Sequence, residues 1–126
     1  AARAAVPTVE AKAAAWKLLT EEADVANAIY QSTAMGFRQA EQLQLLEPYA
    51  ARYFVDVDGV FKRNDIHVAE NFGILGFPSL FVEDATVQMA DQFLASHDGG
   101  NVAMLRFIKE GRANTIRAIR ARQADL

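Results

Sequence analysis

The chain contains no cysteine, which excludes disulfides and thiolate zinc sites. That composition suits a reducing compartment, and we expect a cytoplasmic protein. Only three prolines and seven glycines punctuate its 126 residues, so most of the chain is free to run in long regular elements. Runs that alternate apolar and polar residues are essentially missing, which removes the usual signal for half-buried strands. No apolar run approaches the roughly 20 residues a membrane helix needs. The start, Ala1 to Val6, carries Arg3 and has no long apolar segment, so it does not read as a signal peptide. A chain opening without methionine is what an excised domain or processing of a longer chain would give. The net charge is −3, too mild to name a partner by itself.

What is present is an ordinary globular composition. The apolar fraction is 52% and the charged fraction 23%, and the length suffices for one domain with a core, residues 1–126. Almost every segment has helical spacing. Thr8 is placed to cap a first helix with Val9, Ala13, Trp16 and Leu19 on one stripe. Asp24 is placed to cap a second helix carrying Val25, Ile29 and Phe37, with Gly36 as its stop. Leu43, Leu46, Ala50, Tyr53 and Val57 form a third stripe, in which Pro48 predicts a kink or restart. Asp58 is the expected cap of a fourth helix bearing Phe61, Asn64, Val68, Phe72 and Leu75, closed by Phe77-Pro78. A fifth helix is expected over Thr86 to Leu94. The clearest loop is His97-Asp98-Gly99-Gly100, and a last helical segment runs from Asn101 to Ala124, with Gly111 as a candidate division. The fold class is therefore all-α, with six to seven antiparallel helices. Helix pairs of this kind stack into solenoids, although no strict repeat period is present.

Candidate chemistry is sparse. A zinc peptidase needs His-Glu-x-x-His, two imidazoles on one helix face beside a carboxylate base. His67-Val68-Ala69-Glu70 offers one His and one Glu, and the second histidine, His97, sits in the loop. Two such residues do not hold zinc, and His97 reads as solvated. Asp56-Val57-Asp58-Gly59 resembles the start of a calcium loop, yet glycine falls at the fourth position and His67 at the twelfth, so the pattern fails. Ala69-Glu70-Asn71 echoes part of a Gly-x-Met-x-Asn amine-binding motif but lacks the Gly and Met. No serine–histidine nucleophile pair or phosphate loop can be assembled.

Two features remain. Arg106, Lys109, Arg112, Arg117, Arg120 and Arg122 crowd the last 26 residues. A solvated helix face complementing the C-terminal dipole accounts for them, and with no aromatic platform nearby nucleic acid is not expected as a partner. Tyr49 and Tyr53 lie one helical turn apart and could share a face, with their hydroxyls directed to a groove or to water.

Several ordered segments carry a family resemblance. Gly36 to Phe54, with its Leu-Leu-Glu-Pro-Tyr break and Arg-Tyr-Phe end, resembles the C-terminal helical domain of bacterial aminopeptidase N, a zinc exopeptidase family. Ala11 to Trp16 is similar to the helix entering that region. Phe77 to Glu83, followed by Thr86 and Asp91 to Ala95, resembles its Phe/Tyr-Pro and Asp-x-Phe/Trp-Leu signature. The arginine-rich close, Arg112 to Asp125, is similar to actinobacterial members.

The resemblance implies a HEAT- or armadillo-like array that covers the catalytic cleft and shapes a peptide chamber, as in the related endoplasmic-reticulum aminopeptidases. It also implies zinc in an upstream catalytic domain, whose metal and amine motifs match nothing here. No catalytic, cofactor-binding or metal residue is therefore transferred, and the chain alone is expected to be inactive. Its expected partners are the catalytic and N-terminal domains of the same polypeptide and, indirectly, peptide substrate. Tyr49, Tyr53, Arg117 and Arg120 are candidate peptide-channel contacts. A stack cut in the middle exposes an apolar face, so self-association is expected too. The alternative is a free-standing helical-repeat adaptor that binds a protein or peptide in its concave face.

Overall fold

The computed structural model describes residues 2–21 and 27–125. Six α-helices occupy them: α1 (Val9–Glu21), α2 (Asn27–Phe37), α3 (Leu43–Arg63), α4 (Ile66–Leu75), α5 (Asp84–Ser96) and α6 (Val102–Ala124). Short 3-10 turns at Ala2–Ala5 and Ala40–Gln42 precede α1 and α3. No strand occurs among the described residues, so the all-α expectation is met. The expected cap Asp24 and the apolar Val25 lie outside the described residues.

The helices form three sequential pairs. α1 packs on α2, α3 on α4 and α5 on α6. The odd helices also touch in series, α1 to α3 to α5, as do the even ones, α2 to α4 to α6. The result is two layers with α3 and α4 in the middle. The core follows the predicted stripes in part, since Val9 and Ala13 of α1, Ile29 of α2 and Leu43 of α3 are exposed. Trp16 and Leu19 of α1, Leu46, Tyr53 and Val57 of α3, Phe72 of α4, and Met104 and Ile108 of α6 are all buried. Trp16 is a hub, its ring centroid lying 5.4 Å from Phe37, 5.0 Å from Tyr49 and 5.3 Å from Phe72.

Local chemistry sets the helix ends. Thr8 caps α1 as predicted, its Oγ1 accepting from the Ala11 N–H at 3.1 Å. Asn101 caps α6 through Met104 N–H at 3.0 Å. α2 ends at Phe37, with Gly36 inside its last turn.

Three expectations need correction. Pro48 does not restart α3, which is continuous from Leu43 to Arg63. Proline in the second turn deprives only the Gln44 carbonyl of its partner, and Gln44 and Pro48 are both exposed, so water can replace the missing N–H. Asp58 caps nothing. It lies inside α3 and pairs with Lys62 at 2.8 Å, and Phe61 belongs to that same helix. The break comes at Asn64, whose backbone is extended, and the true cap of α4 is Asp65, which accepts from His67 N–H and Val68 N–H at 2.9 and 3.1 Å. Finally, Gly111 does not divide α6. A Cβ there would stand 2.7 Å from the Phe77 ring, so the glycine admits an aromatic ring against the helix rather than ending it.

Candidate functional site

The structure separates the four residues expected to line a peptide channel. Tyr53 is fully buried and its hydroxyl donates to the Gly73 carbonyl at 2.8 Å. Its ring stacks on Phe72 at 5.3 Å and meets Phe54 and Phe77 edge-on. Burial pushes the phenol far above its ordinary pKa. The hydroxyl therefore faces neither a groove nor water, because α4 needs a donor for the Gly73 carbonyl and Tyr53 supplies it.

Tyr49 is half-buried one turn away. It packs on Trp16 and edge-on to Phe37, both at 5.0 Å, with the Arg52 guanidinium 5.5 Å over its ring. Burial raises its pKa, and Arg52 draws it partly back. Tyr49 lines a cavity with Arg38, Leu46, Leu75, Pro78 and Phe81. Its volume of about 20 Å³ holds roughly one water, too little for a substrate side chain. Arg38 Nη1 donates to the Leu75 carbonyl at 3.4 Å on the cavity's edge, tying the end of α4 to the segment after α2.

Arg117 and Arg120 stand on the exposed side of α6, and Arg117 donates to the Asn114 side chain. Arg112 behaves differently. It pairs with Asp91 of α5 and so joins the last helix pair. Arg122 Nη1 reaches the Val82 carbonyl at 3.3 Å.

His97 is not simply solvated. Its ring stacks on Phe93 at 3.8 Å, and Nδ1 lies 2.9 Å from the Phe93 carbonyl. Ser96 Oγ lies at the same 2.9 Å from Nδ1, and in the tautomer with the proton on Nδ1 the ring donates to the Phe93 carbonyl and closes the end of α5. With His97 committed there and His67 alone on α4, the imidazoles do not fit a zinc site. Among the described residues no group of three or more His, Asp or Glu could hold a metal ion, and no chemical step is assigned to zinc on this chain. A groove of about 350 Å³ beside His97 is lined by Asp58, Lys62, Asp98 and Asn101, but it assembles no nucleophile with a base.

One buried charge escaped the sequence reading. Lys12 is fully buried, and its Nζ donates to the Ala4 carbonyl at 2.7 Å and to the Phe37 carbonyl at 3.1 Å. The ammonium thus caps the C-terminus of α2 and secures the first 3-10 turn. Burial lowers its pKa, and Glu41 partly opposes that shift. The signal was available, since Lys12 lies four residues before Trp16 and seven before Leu19, on the core-facing stripe.

A larger groove, about 570 Å³, runs along the first helix pair and is lined by Ala4, Val6, Ala11, Ala14, Leu18 and Thr33. Val6, Val9, Ile29 and Met35 are exposed on the same two helices and the turn before them. The residues that could act together thus sort into an apolar groove at one end and a basic helix at the other, with no catalytic constellation between.

No protein-family profile matches the chain. Among characterised proteins it is similar to aminopeptidase N of Streptomyces lividans, with 36% identity over 124 residues. The resemblance to aminopeptidase N is borne out. The match takes in 98% of this chain and only 14% of that enzyme. The similarity to aminopeptidase N therefore runs through the whole helical stack described above, and the chain spans about one seventh of its relative's length.

Proposed function

We propose that the chain is a non-catalytic helical part of an aminopeptidase N-like zinc peptidase, at its C-terminal end. It caps and shapes the chamber in which the parent enzyme removes N-terminal residues from peptides in the cytoplasm. The observation that carries this reading is similarity to aminopeptidase N along 98% of the chain, in a sequence without His-Glu-x-x-His. The contact pattern, α1–α3–α5 in one layer and α2–α4–α6 in the other, supports a HEAT- or armadillo-like array. Zinc belongs to the catalytic domain of the parent, where it would activate water. The groove and exposed apolar side chains of the first pair are the surface that neighbouring helices of the same polypeptide would cover.

Two experiments test this. The purified chain, given zinc and an aminoacyl reporter substrate, is expected to show no turnover; measurable zinc-dependent turnover would overturn the non-catalytic assignment. Deleting the segment from the enzyme that carries it should reduce hydrolysis of long peptides far more than that of a single-residue reporter. Equal loss on both substrates would sink the chamber-shaping role.

A further inference from the structure

Charge is strongly segregated along this chain. Residues 1–101 carry seven basic and fourteen acidic side chains, and residues 102–126 carry six basic and two acidic ones. The weak overall charge of −3 therefore hides an acidic body joined to a basic last helix. The structure adds direction to this imbalance. At 3.6 residues per turn, positions 106, 109, 117 and 120 fall within about 80° of one another. They lie opposite the buried face of α6, which carries Met104, Phe107, Ile108 and Thr115. Arg106, Lys109, Arg117 and Arg120 are all exposed, and at 1.5 Å per residue they mark a strip about 21 Å long. Glu110 faces Arg106 only at 3.9 Å, both side chains being 61% exposed, so it offsets little of the strip's charge. The remaining α6 cations do other work, Arg112 pairing with Asp91 and Arg122 reaching the Val82 carbonyl.

We propose that the outer face of α6, carrying Arg106, Lys109, Arg117 and Arg120, is a docking strip for the carboxylates of acidic peptides. Charge complementarity selects this occupant, and range sets its size. A short peptide feels only charges within a Debye length of about 8–10 Å, where the strip dominates. A long polyanion would also meet the acidic body and be repelled by it. The aromatic ring beside these cations, Phe107 with the Arg106 guanidinium 5.1 Å over it, is buried, so it offers no open stacking platform of the kind single-stranded nucleic acid uses. The arginines can each hold a carboxylate through two N–H groups. The peptide assignment deepens the peptidase reading above, yet its binding test does not depend on turnover.

The test uses the 126-residue chain and fluorescein-labelled peptides about six residues long, short enough to lie extended along the strip. One peptide is rich in glutamate, a second carries glutamine at the same positions, and each is made with a free and an amidated C-terminus. Anisotropy at about 0.1 M salt is expected to give about tenfold tighter binding for the glutamate peptide, an advantage that falls as salt rises. A free C-terminus that adds affinity to the glutamine peptide would assign one site to the terminal carboxylate; if it adds none, the side-chain carboxylates are the ligands. The double variant Arg117→Gln, Arg120→Gln should weaken glutamate-peptide binding about five- to tenfold, whereas Arg52→Gln on α3 should change it less than about twofold. Circular dichroism checks that both variants remain helical. Equal binding of the glutamate and glutamine peptides would overturn the proposal, as would equal losses in the two variants. A single-stranded oligonucleotide of matched charge that bound more tightly than the peptide would also reject it. Failure here would leave the chamber-shaping role to the deletion experiment.

Discussion

The two ends of the helical stack are built on opposite terms. The first pair is fixed inside by a dense polar and aromatic network and left apolar outside. Lys12 bridges two carbonyls, Trp16 donates to Asp56 at 2.8 Å and Tyr30 donates to the Leu19 carbonyl at 2.6 Å. Yet Val6 remains exposed at a groove of about 570 Å³, and Val9, Ile29 and Met35 are exposed elsewhere on the same pair. The last pair reverses this. Its interior contacts are mostly apolar, with Phe93, Met104, Phe107 and Ile108 buried, and apart from the exposed Val102 its outer face is cationic. The contrast fits a piece with a dry neighbour at one end and water or a polar ligand at the other.

The most severe way to break the comparison is to remove the hub of the first end. Trp16→Ala would leave a void between Phe37, Tyr49 and Phe72 and remove the indole donor from Asp56, leaving it Arg52 at 4.0 Å. A loss of about 3–5 kcal/mol is expected from urea unfolding, enough to unfold a marginal domain. A loss below about 1 kcal/mol, within the range of surface substitutions and small adjustments, would show that the first pair is not anchored through Trp16.

At the other end the sensitive point is Gly111. Alanine there gains up to about 1 kcal/mol in helix propensity, but its Cβ would meet Phe77 ring atoms at 2.7–2.8 Å. The Phe77 ring must move, and displacing a packed core group costs about 1–3 kcal/mol. The expected result is net destabilisation of about 1–2 kcal/mol. If Gly111→Ala raises the melting temperature instead, α5, α6 and the Phe77 turn are packed more loosely than the geometry indicates.

These two residues also mark what was legible in the sequence. The all-α class, the Thr8 cap, the 97–100 loop and the apolar stripes could be read because helical periodicity is a local signal. Gly111 and Asp58 misled because the same residue types serve two purposes. A glycine can end a helix or let a ring approach it, and an aspartate can cap a helix or pair with a lysine four residues on. Only the tertiary partner, Phe77 in one case and Lys62 in the other, decides. Tyr53 was misplaced for the same reason, since its apolar stripe was visible but the Gly73 carbonyl that accepts its hydrogen bond was not. The basic helix was legible as composition; which four of its cations share a free face required the packing of α6 on α4 and α5.

The first and middle pairs should respond to alkali, and the sign follows from the shifts. Tyr53 and Tyr30 have phenols raised by burial above the ordinary value of 10.0. The folded state therefore keeps protons that the unfolded state releases above pH 10, and stability must fall as pH rises past that value. Lys12 acts in the other direction. Its lowered pKa means that the unfolded state binds the proton more tightly, so its contribution grows as pH rises toward 10.5. The tyrosines should dominate above pH 10. Tyr53→Phe should cost about 1 kcal/mol at neutral pH, from the unpaired Gly73 carbonyl, and should flatten the decline above pH 10. An unchanged alkaline slope would assign the decline to other groups.

The mildest change in stability should carry the most information about the ends. Val9→Ser with Ile29→Ser replaces two exposed apolar side chains, so unfolding free energy should move by no more than about 0.5 kcal/mol. Association should respond far more. Two chains that cover their first pairs against each other remove these side chains from water at about 25 cal/mol per Å², whereas the basic faces of two copies repel. The parent chain is therefore expected to self-associate at ~100 μM in light scattering, near the upper range in which exposed apolar surface drives aggregation, and the double serine variant to be monomeric. Salt separates the two ends in the same experiment. Contact through the apolar end should persist or strengthen as salt rises, while contact between a basic α6 and another copy's acidic body should dissolve within the screening range of about 0.1–0.15 M. A parent chain that is monomeric throughout would mean that its exposed apolar groove is tolerated in water, and the contrast between the ends would then rest on charge alone.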